Sequence, residues 1–384
     1  MPRIAADQNV PYVKEIFGEL GSVETYLGRE LERKHLENAD VLVCRSTKKI
    51  DAQLLENTTV GFVGTATIGT DHVDKEYLDS RGIEFTNAAG SNANSVSEYI
   101  TEALLVLAQR AGRHLEGSSL GVIGCGNVGS QVVQKAKALG MKVIQNDPPL
   151  ARKTREPRYR PLKEALGCDF VTVHVPLTRE GQDPTYHMVD RNFIGAMKPG
   201  AVFLNSSRGA VVDEEELVEA LRSGEISAAA LDVWDGEPDI DTELLRLVDI
   251  GTPHIAGHSL DGKAAGTQMI YEAACQFLGV NPSAKVRNLL PAPDLPETIV
   301  GDGGEPEEIV KRTCQQVWNI LDDDALLWKM LDLETADRMD YFDQLRRNYA
   351  IRREFYNTKL SFEGRSRETQ EKLLGLGFQD ASLT

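Results

Sequence analysis

Arg208, Glu237 and His254 stand in three short polar loops: Asn205-Ser-Ser-Arg-Gly209, Asp232-Val-Trp-Asp-Gly-Glu-Pro238 and Gly251-Thr-Pro-His-Ile-Ala-Gly257. An imidazole is the side chain best placed to take a hydroxyl proton near neutral pH. A carboxylate beside it favours the imidazolium and fixes the ring tautomer. A guanidinium can hold a substrate carboxylate through two parallel hydrogen bonds and polarise the neighbouring oxygen. Together they suit oxidation of a secondary alcohol that sits next to a carboxylate.

Such an oxidation needs a hydride acceptor, and the chain carries a loop that would hold one. Gly124-Cys-Gly126-Asn127-Val128-Gly129 follows the apolar run Leu120-Gly-Val-Ile123 and opens a helical stretch. Glycines let the backbone turn tightly and bring helix N-terminal amides against a pyrophosphate. A second run ends at Asp147, 18 residues after Gly129 and followed by Pro148-Pro149. A carboxylate there would accept from the adenosine ribose hydroxyls and repel a 2′-phosphate, which points to NAD over NADP.

Elements must bring these loops together. Between residues 120 and 256 short apolar runs alternate with helical stretches: Lys142-Val-Ile144, Phe170-Val-Thr-Val173, Val202-Phe-Leu204, Ala229-Ala-Leu-Asp-Val233 and Asp249-Ile250. This alternation predicts a doubly wound, Rossmann-type parallel α/β sheet whose carboxyl edge gathers the glycine loop, Arg208, Glu237 and His254. Asp213 through Ser223, acidic in its first turn and stopped by Gly224, predicts a helix. A weaker alternation before residue 98 (Arg3-Ile-Ala-Ala6, Val41-Leu-Val43, Val60-Gly-Phe-Val63, Ile83-Glu-Phe85) predicts a second, smaller α/β unit, with an apolar helix over 99–113 bridging the two. After Pro291 a Pro-, Gly- and acid-rich stretch leads to helical patterns with Trp318, Trp328 and the basic cluster Arg346-Arg347 to Arg352-Arg353. Ile309, Val310, Val317, Ile320 and Leu321 give that tail apolar faces without a core of its own, which predicts a two-fold partner.

Composition narrows the field. With 42 basic against 59 acidic side chains the net charge is −17, which argues against binding nucleic acid or anionic membrane. No apolar run is long enough to span a bilayer, and the five scattered cysteines form no C-x-x-C pair. The expectation is a cytoplasmic protein with buried free thiols and no metal. Cations for an anionic substrate must therefore be gathered locally; Arg45, after Val41-Leu-Val43, is the first candidate for a phosphate, and the tail arginines the second.

The glycine loop, Asn205 to Asp213, Leu231 to Pro238 and Thr252 to Gly257 resemble the corresponding segments of the D-isomer-specific 2-hydroxyacid dehydrogenases. Gly90-Ser-Asn92 through Val96-Ser-Glu98 fits the family's G-x-N-x-x-x-V-x-E segment, with Ala89 in place of the usual proline. The resemblance implies Arg208, Glu237 and His254 as the catalytic trio, with His254 as acid/base. It also implies that Gly124, Gly126, Asn127, Val128, Gly129, Asp147, Val175, Ser206, Ser207, Arg208, Asp232 and Gly257 contact NAD. Ser46 and Thr67 would contact a phosphorylated hydroxy acid, and His258, where a tyrosine is expected, would too. The implied organisation is a flavodoxin-like substrate (lid) domain over 1–98, an NAD domain over 99–257, a return segment over 258–290 and an α+β dimerisation domain over 291–384. Cofactor and substrate would meet in the cleft between the first two, and the protein would be a homodimer. Another D-2-hydroxy acid, such as 3-phosphoglycerate, or a dinucleotide-sensing interaction role on the same scaffold, stays open at this point.

Overall fold

Short runs, most of them apolar on both faces and each too short for a helix, form two large all-parallel sheets and a small third one in the computed structural model, which describes residues 1–301, 303–364 and 366–383. The chain divides into two units, one of 1–92 with 259–292 and the other of 93–258 with 293–384.

In the first unit β1 (Arg3–Asp7), β2 (Ser22–Tyr26), β3 (Val41–Cys44), β4 (Phe62–Thr65) and β5 (Glu84–Asn87) lie in the order β2-β1-β3-β4-β5, the flavodoxin-like arrangement. Successive side chains go to opposite faces. Ile4, Ala6, Val41, Val43 and Phe62 pack with Ile270, Tyr271 and Ala274 of the helix Leu260–Leu278, while Ala5, Leu42 and Val63 meet Leu31, Leu36, Leu54 and Leu78. That helix joins the unit from after the Rossmann sheet, so this unit is discontinuous in sequence. The strand β2 has no counterpart in the apolar pattern of the sequence.

In the second unit β6 (Ser119–Ile123), β7 (Lys142–Asn146), β8 (Phe170–Val173), β9 (Ala201–Asn205), β10 (Ile226–Leu231) and β11 (Ile250–Gly251) are ordered β11-β10-β9-β8-β6-β7. The order reverses at β6, so a crevice opens between the carboxyl ends of β6 and β8. The expected helix over 213–223 is Glu214–Ser223, capped by the Asp213 carboxylate and ended by Gly224 at φ 76°. The bridging helix is Ala93–Arg110, so the unit boundary falls at 92 and not at 98. Its early start is fixed by distant partners: Asn94 Nδ2 donates to Glu354 at 2.7 Å and Ser95 Oγ to the same carboxylate at 2.5 Å.

The tail does not stand apart as a third unit. It has helices Pro306–Val317, Ile320–Trp328, Thr335–Arg347 and Arg367–Gly375, and a small parallel sheet of β12 (Glu297–Ile299), β13 (Lys359–Ser361) and β14 (Gln379–Asp380). The α+β character holds, but the argument that its apolar face requires a second chain does not. Ile309, Val310 and Ile320 are buried with Ile100, Leu104, Val132 and Ala136 in one core, and Val317, Trp318 and Leu321 pack against it. At about 1.5–3 kcal/mol for each fully buried aliphatic side chain, this cover is substantial.

Charges are buried in the same seam. Arg352, 3% exposed, donates to Ser95 O at 2.8 Å and Ala256 O at 3.3 Å, lies 3.8 Å from Glu98 Oε2 and stacks 3.7 Å above the Trp318 ring. Burial pushes the Glu98 and Glu102 carboxyls up to about 8, with Arg352 pulling the other way in both cases.

Candidate active site

The backbone itself builds the loop after β6. Gly124 has φ 86°, and a Cβ there would stand 2.5 Å from His174 O; at Gly129 a Cβ would stand 1.9 Å from Gly124 O. Only glycine fits either place. The helix Asn127–Ala138 therefore starts hard against β6 with Gly126 as its cap, and among the described residues no side chain caps its first amides. Those amides, with Gly126 and Asn127 exposed and Val128 half-buried, are free to meet an anion. Asp147, at the end of β7, accepts from Cys125 N through Oδ2 and from Leu150 N through Oδ1, both at 2.8 Å. It thus clamps the glycine loop to the next helix and keeps further lone pairs for hydroxyl donors.

Across the crevice, His174 donates its backbone N–H to Ile123 O at 2.7 Å and shares a hydrogen bond between Nε2 and Thr172 Oγ1 at 3.0 Å. Burial lowers its imidazole to about 3, so it stays neutral at physiological pH. Val175 follows it, half-buried. The Ser206 hydroxyl is buried without a partner among the described residues, as expected of a group that waits for a ligand. Ser207 N and Oγ both donate to Asn205 Oδ1, at 3.0 and 2.8 Å, and Asn205 Nδ2 donates to Arg208 O at 3.0 Å. Asn205 is thus the organiser of this loop. Uncapped amides, the orphaned hydroxyl and an acid at the second strand end together fit a dinucleotide.

The structure brings the acid–base pair into contact. His254 Nδ1 and Glu237 Oε1 are joined by a short hydrogen bond, leaving Nε2 as the ring's other proton site. Burial would raise the Glu237 carboxyl, but the hydrogen bond and charge of His254, with Arg346 adding, hold it below the usual carboxylate range. His254 itself has φ 56°, a left-handed conformation uncommon for any residue but glycine, and its N–H is tied to Asp232 O at 2.7 Å. Arg208 is half-buried; its Nη1 donates to Ser207 O at 2.7 Å, and no carboxylate pairs with it among the described residues.

Asp232, 1% exposed, accepts from Thr252 Oγ1 and Ile255 N at 2.7 Å and from Ala256 N at 3.0 Å. Those bonds fix the loop that carries His254 and leave about one lone pair of the carboxylate for an outside donor. Tyr99 extends the network by sharing a hydrogen bond with Thr252 at 2.9 Å. The sequence gives Asn205, Tyr99 and Thr252 no role of their own, although Asn205 and Thr252 open the motif segments that carry Arg208 and His254. Gly257 is half-buried, and His258 lies edge-on to Tyr349 with centroids 5.8 Å apart.

The expected substrate contacts Arg45, Ser46 and Thr67 belong to the other unit. Arg45 and Ser46 follow β3, and Thr67 follows β4, where its Oγ1 meets Thr65 Oγ1 at 2.8 Å. The tail arginines divide: Arg352 is buried structure, Arg347 is exposed and 3.9 Å from Asp343, and Arg353 donates to Asn357 at 2.8 Å. Arg346, whose Nε is buried and unpartnered among the described residues, is the one whose charge reaches Glu237.

A dinucleotide crevice, a histidine–carboxylate pair and an unpaired arginine on one sheet edge define an oxidoreductase of hydroxy acids. Comparison with known proteins agrees. Residues 89–256 match the family described as "D-isomer specific 2-hydroxyacid dehydrogenase, NAD binding domain", and residues 289–377 match a domain of unknown function. The chain is 40% identical over 380 residues to the erythronate-4-phosphate dehydrogenase of Hahella chejuensis, covering 99% of this chain and 100% of that one. It is 43% identical over 369 residues to the enzyme of the same name from Salinibacter ruber, covering 92% of each. Among solved structures, a protein from Thermus thermophilus superposes with a TM-score of 0.62 at 28% identity, covering 73% of this chain and 98% of that chain. The D-lactate dehydrogenase of Aquifex aeolicus, solved with NAD and lactic acid, gives 0.56 at 25%, covering 72% and 95%. This chain belongs to the D-isomer-specific 2-hydroxyacid dehydrogenase family, in its erythronate-4-phosphate dehydrogenase branch.

Proposed function

We propose that this chain catalyses the NAD-dependent oxidation of 4-phospho-D-erythronate to (R)-3-hydroxy-2-oxo-4-phosphobutanoate, a step in pyridoxal 5′-phosphate biosynthesis. The observation that carries it is the His254–Glu237 pair on the same sheet edge as Arg208, which has no acid of its own among the described residues. His254 Nε2 takes the C2 hydroxyl proton, and the Glu237 carboxylate stabilises the imidazolium that results. Arg208 holds the substrate carboxylate and polarises the C2 oxygen. Bound NAD supplies the hydride acceptor. Gly124, Gly126, Asn127, Val128 and Gly129 hold its pyrophosphate, Asp147 the adenosine ribose, and Val175, Ser206, Ser207, Asp232 and Gly257 line the rest. Arg45, Ser46 and Thr67 take the far end of the substrate, with His258 in the place where a tyrosine was expected. Turnover of 4-phosphoerythronate, 3-phosphoglycerate and glycerate with NAD, followed as absorbance of the reduced cofactor, tests the assignment. Preference for an unphosphorylated acid, or no turnover at all, overturns it.

We further propose a homodimer in the cytoplasm. Ile299, Ile351 and Leu374 of the tail remain exposed at 60%, 66% and 37% although the tail's inner face is covered, and the free cysteines Cys44, Cys125, Cys168, Cys275 and Cys314 are all buried. Among the described residues no helix is long and apolar enough to cross a membrane. Sedimentation at the 42.3 kDa of one chain refutes the dimer.

A further inference from the structure

Two cations of the first unit lack an acid. Arg45 opens the loop after β3, and Lys263 lies in the first turn of the helix Leu260–Leu278; both are half-buried. Neither side chain has a hydrogen bond or ion pair among the described residues. In a chain with 59 acidic side chains, two sheltered cations left without a carboxylate are conspicuous.

The packing of the helix puts them together. Ser259 Oγ caps its start by accepting from Gly262 N at 2.8 Å, and Thr267 Oγ1 donates to Pro11 O, beyond β1, at 3.0 Å. A Cβ at Gly266 would stand 3.4 Å from Ala66 O, just beyond β4. The helix start therefore lies across the carboxyl ends of β1 and β4, and β3, from which Arg45 emerges, runs between those two strands. Asp7, at the same edge, accepts from Asn9 N at 2.9 Å and from Thr47 Oγ1 at 3.3 Å, and among the described residues it pairs with neither cation. The Lys263 ammonium is lowered first by burial and then by the Arg45 charge facing it. Like charges held together out of water are stabilised by an anion between them.

We propose that Lys263 and Arg45 form one phosphate-binding subsite, and that Lys263 makes the enzyme prefer a phosphorylated over an unphosphorylated hydroxy acid. The proposal rests on the substrate reading above and extends it. A planar guanidinium takes two oxygens of a phosphate monoester and a point-charge ammonium the third, so two cations face a dianion.

The test is Lys263→Met, with Lys263→Arg as the charge-conserving partner. For Lys263→Met the ratio of kcat/KM on 4-phosphoerythronate to that on erythronate is expected to fall by about 10-fold or more, through KM and not kcat. Inorganic phosphate is expected to bind wild type and Lys263→Arg, read as a rise in Tm, and to lose that effect in Lys263→Met. An unchanged ratio, or phosphate stabilisation that survives in Lys263→Met, overturns the subsite. If wild type fails to oxidise 4-phosphoerythronate, the reading of the reaction falls, while the inorganic phosphate arm still decides the subsite.

Discussion

Replacing Arg352 by methionine keeps the apolar stem and removes the buried charge. The guanidinium answers Ser95 O, Ala256 O and Glu98 and lies on the Trp318 face. At pH 6 the raised Glu98 carboxyl is protonated, so removing the guanidinium chiefly leaves the buried Ser95 O and Ala256 O without their donor, at about 1–3 kcal/mol for each. The stacking on Trp318, about 2 kcal/mol when desolvated, overlaps with that figure and is not added to it. A pH dependence follows from the two raised carboxyls. Glu98 and Glu102 titrate at about 8 in the fold against 4.5 unfolded, so the native state binds more protons and stability falls as pH rises from 4.5 through 8. Arg352 favours the ionised forms of both, so without it that fall continues to higher pH. Urea unfolding of Arg352→Met, followed by tryptophan fluorescence, is expected to show a deficit of about 2–6 kcal/mol at pH 6 that grows by about 1 kcal/mol or more at pH 9. A deficit below about 1 kcal/mol, or one equal at both pH values, refutes this account of the seam.

His254→Ala is expected to lower kcat by about 10²–10⁴-fold with NAD affinity nearly unchanged, measured by steady-state rates and cofactor titration; full activity would place the base elsewhere, with His258 the first suspect. Asp147→Ala is expected to weaken NAD binding and narrow the gap to NADP, while costing about 1 kcal/mol of stability for the lost cap, and a wild type that already uses both cofactors equally contradicts the role given to Asp147.

What could be read from sequence was local. The glycine loop after β6, the acid at the end of β7 and the loops of Arg208, Glu237 and His254 announce themselves because each chemistry needs particular residues within a few positions of a strand end. The strand β2 leaves no apolar pattern because Ser-Val-Glu-Thr-Tyr is an edge strand with no buried residue. The helix Ala93–Arg110 starts earlier than its apolar pattern implies because Asn94, Ser95 and Ser97 read as solvent-facing residues, whereas Glu354 of the tail accepts from Asn94 and Ser95. Arg352 reads as part of a solvated basic face and turns out to be buried on Trp318. The partnership of Lys263 with Arg45, like that of Tyr99 with Thr252, joins positions far apart in the chain and leaves no mark on either neighbourhood.

Both units are interrupted in sequence, which sets a schedule for biogenesis. The sheet that begins at β1 is exposed on the face of Ile4, Val43 and Phe62 until the helix Leu260–Leu278 has been made. The bridging helix Ala93–Arg110 likewise waits for Ile309, Val310, Phe355 and Leu360 to finish its surroundings. At roughly 5–20 residues per second, the 200 residues from 93 to 292 occupy a ribosome for roughly 10–40 s. During that interval the nascent chain displays an open parallel sheet and an unshielded apolar helix, so its yield in a cell depends on chaperone occupancy and elongation rate more than that of a chain whose domains close in order.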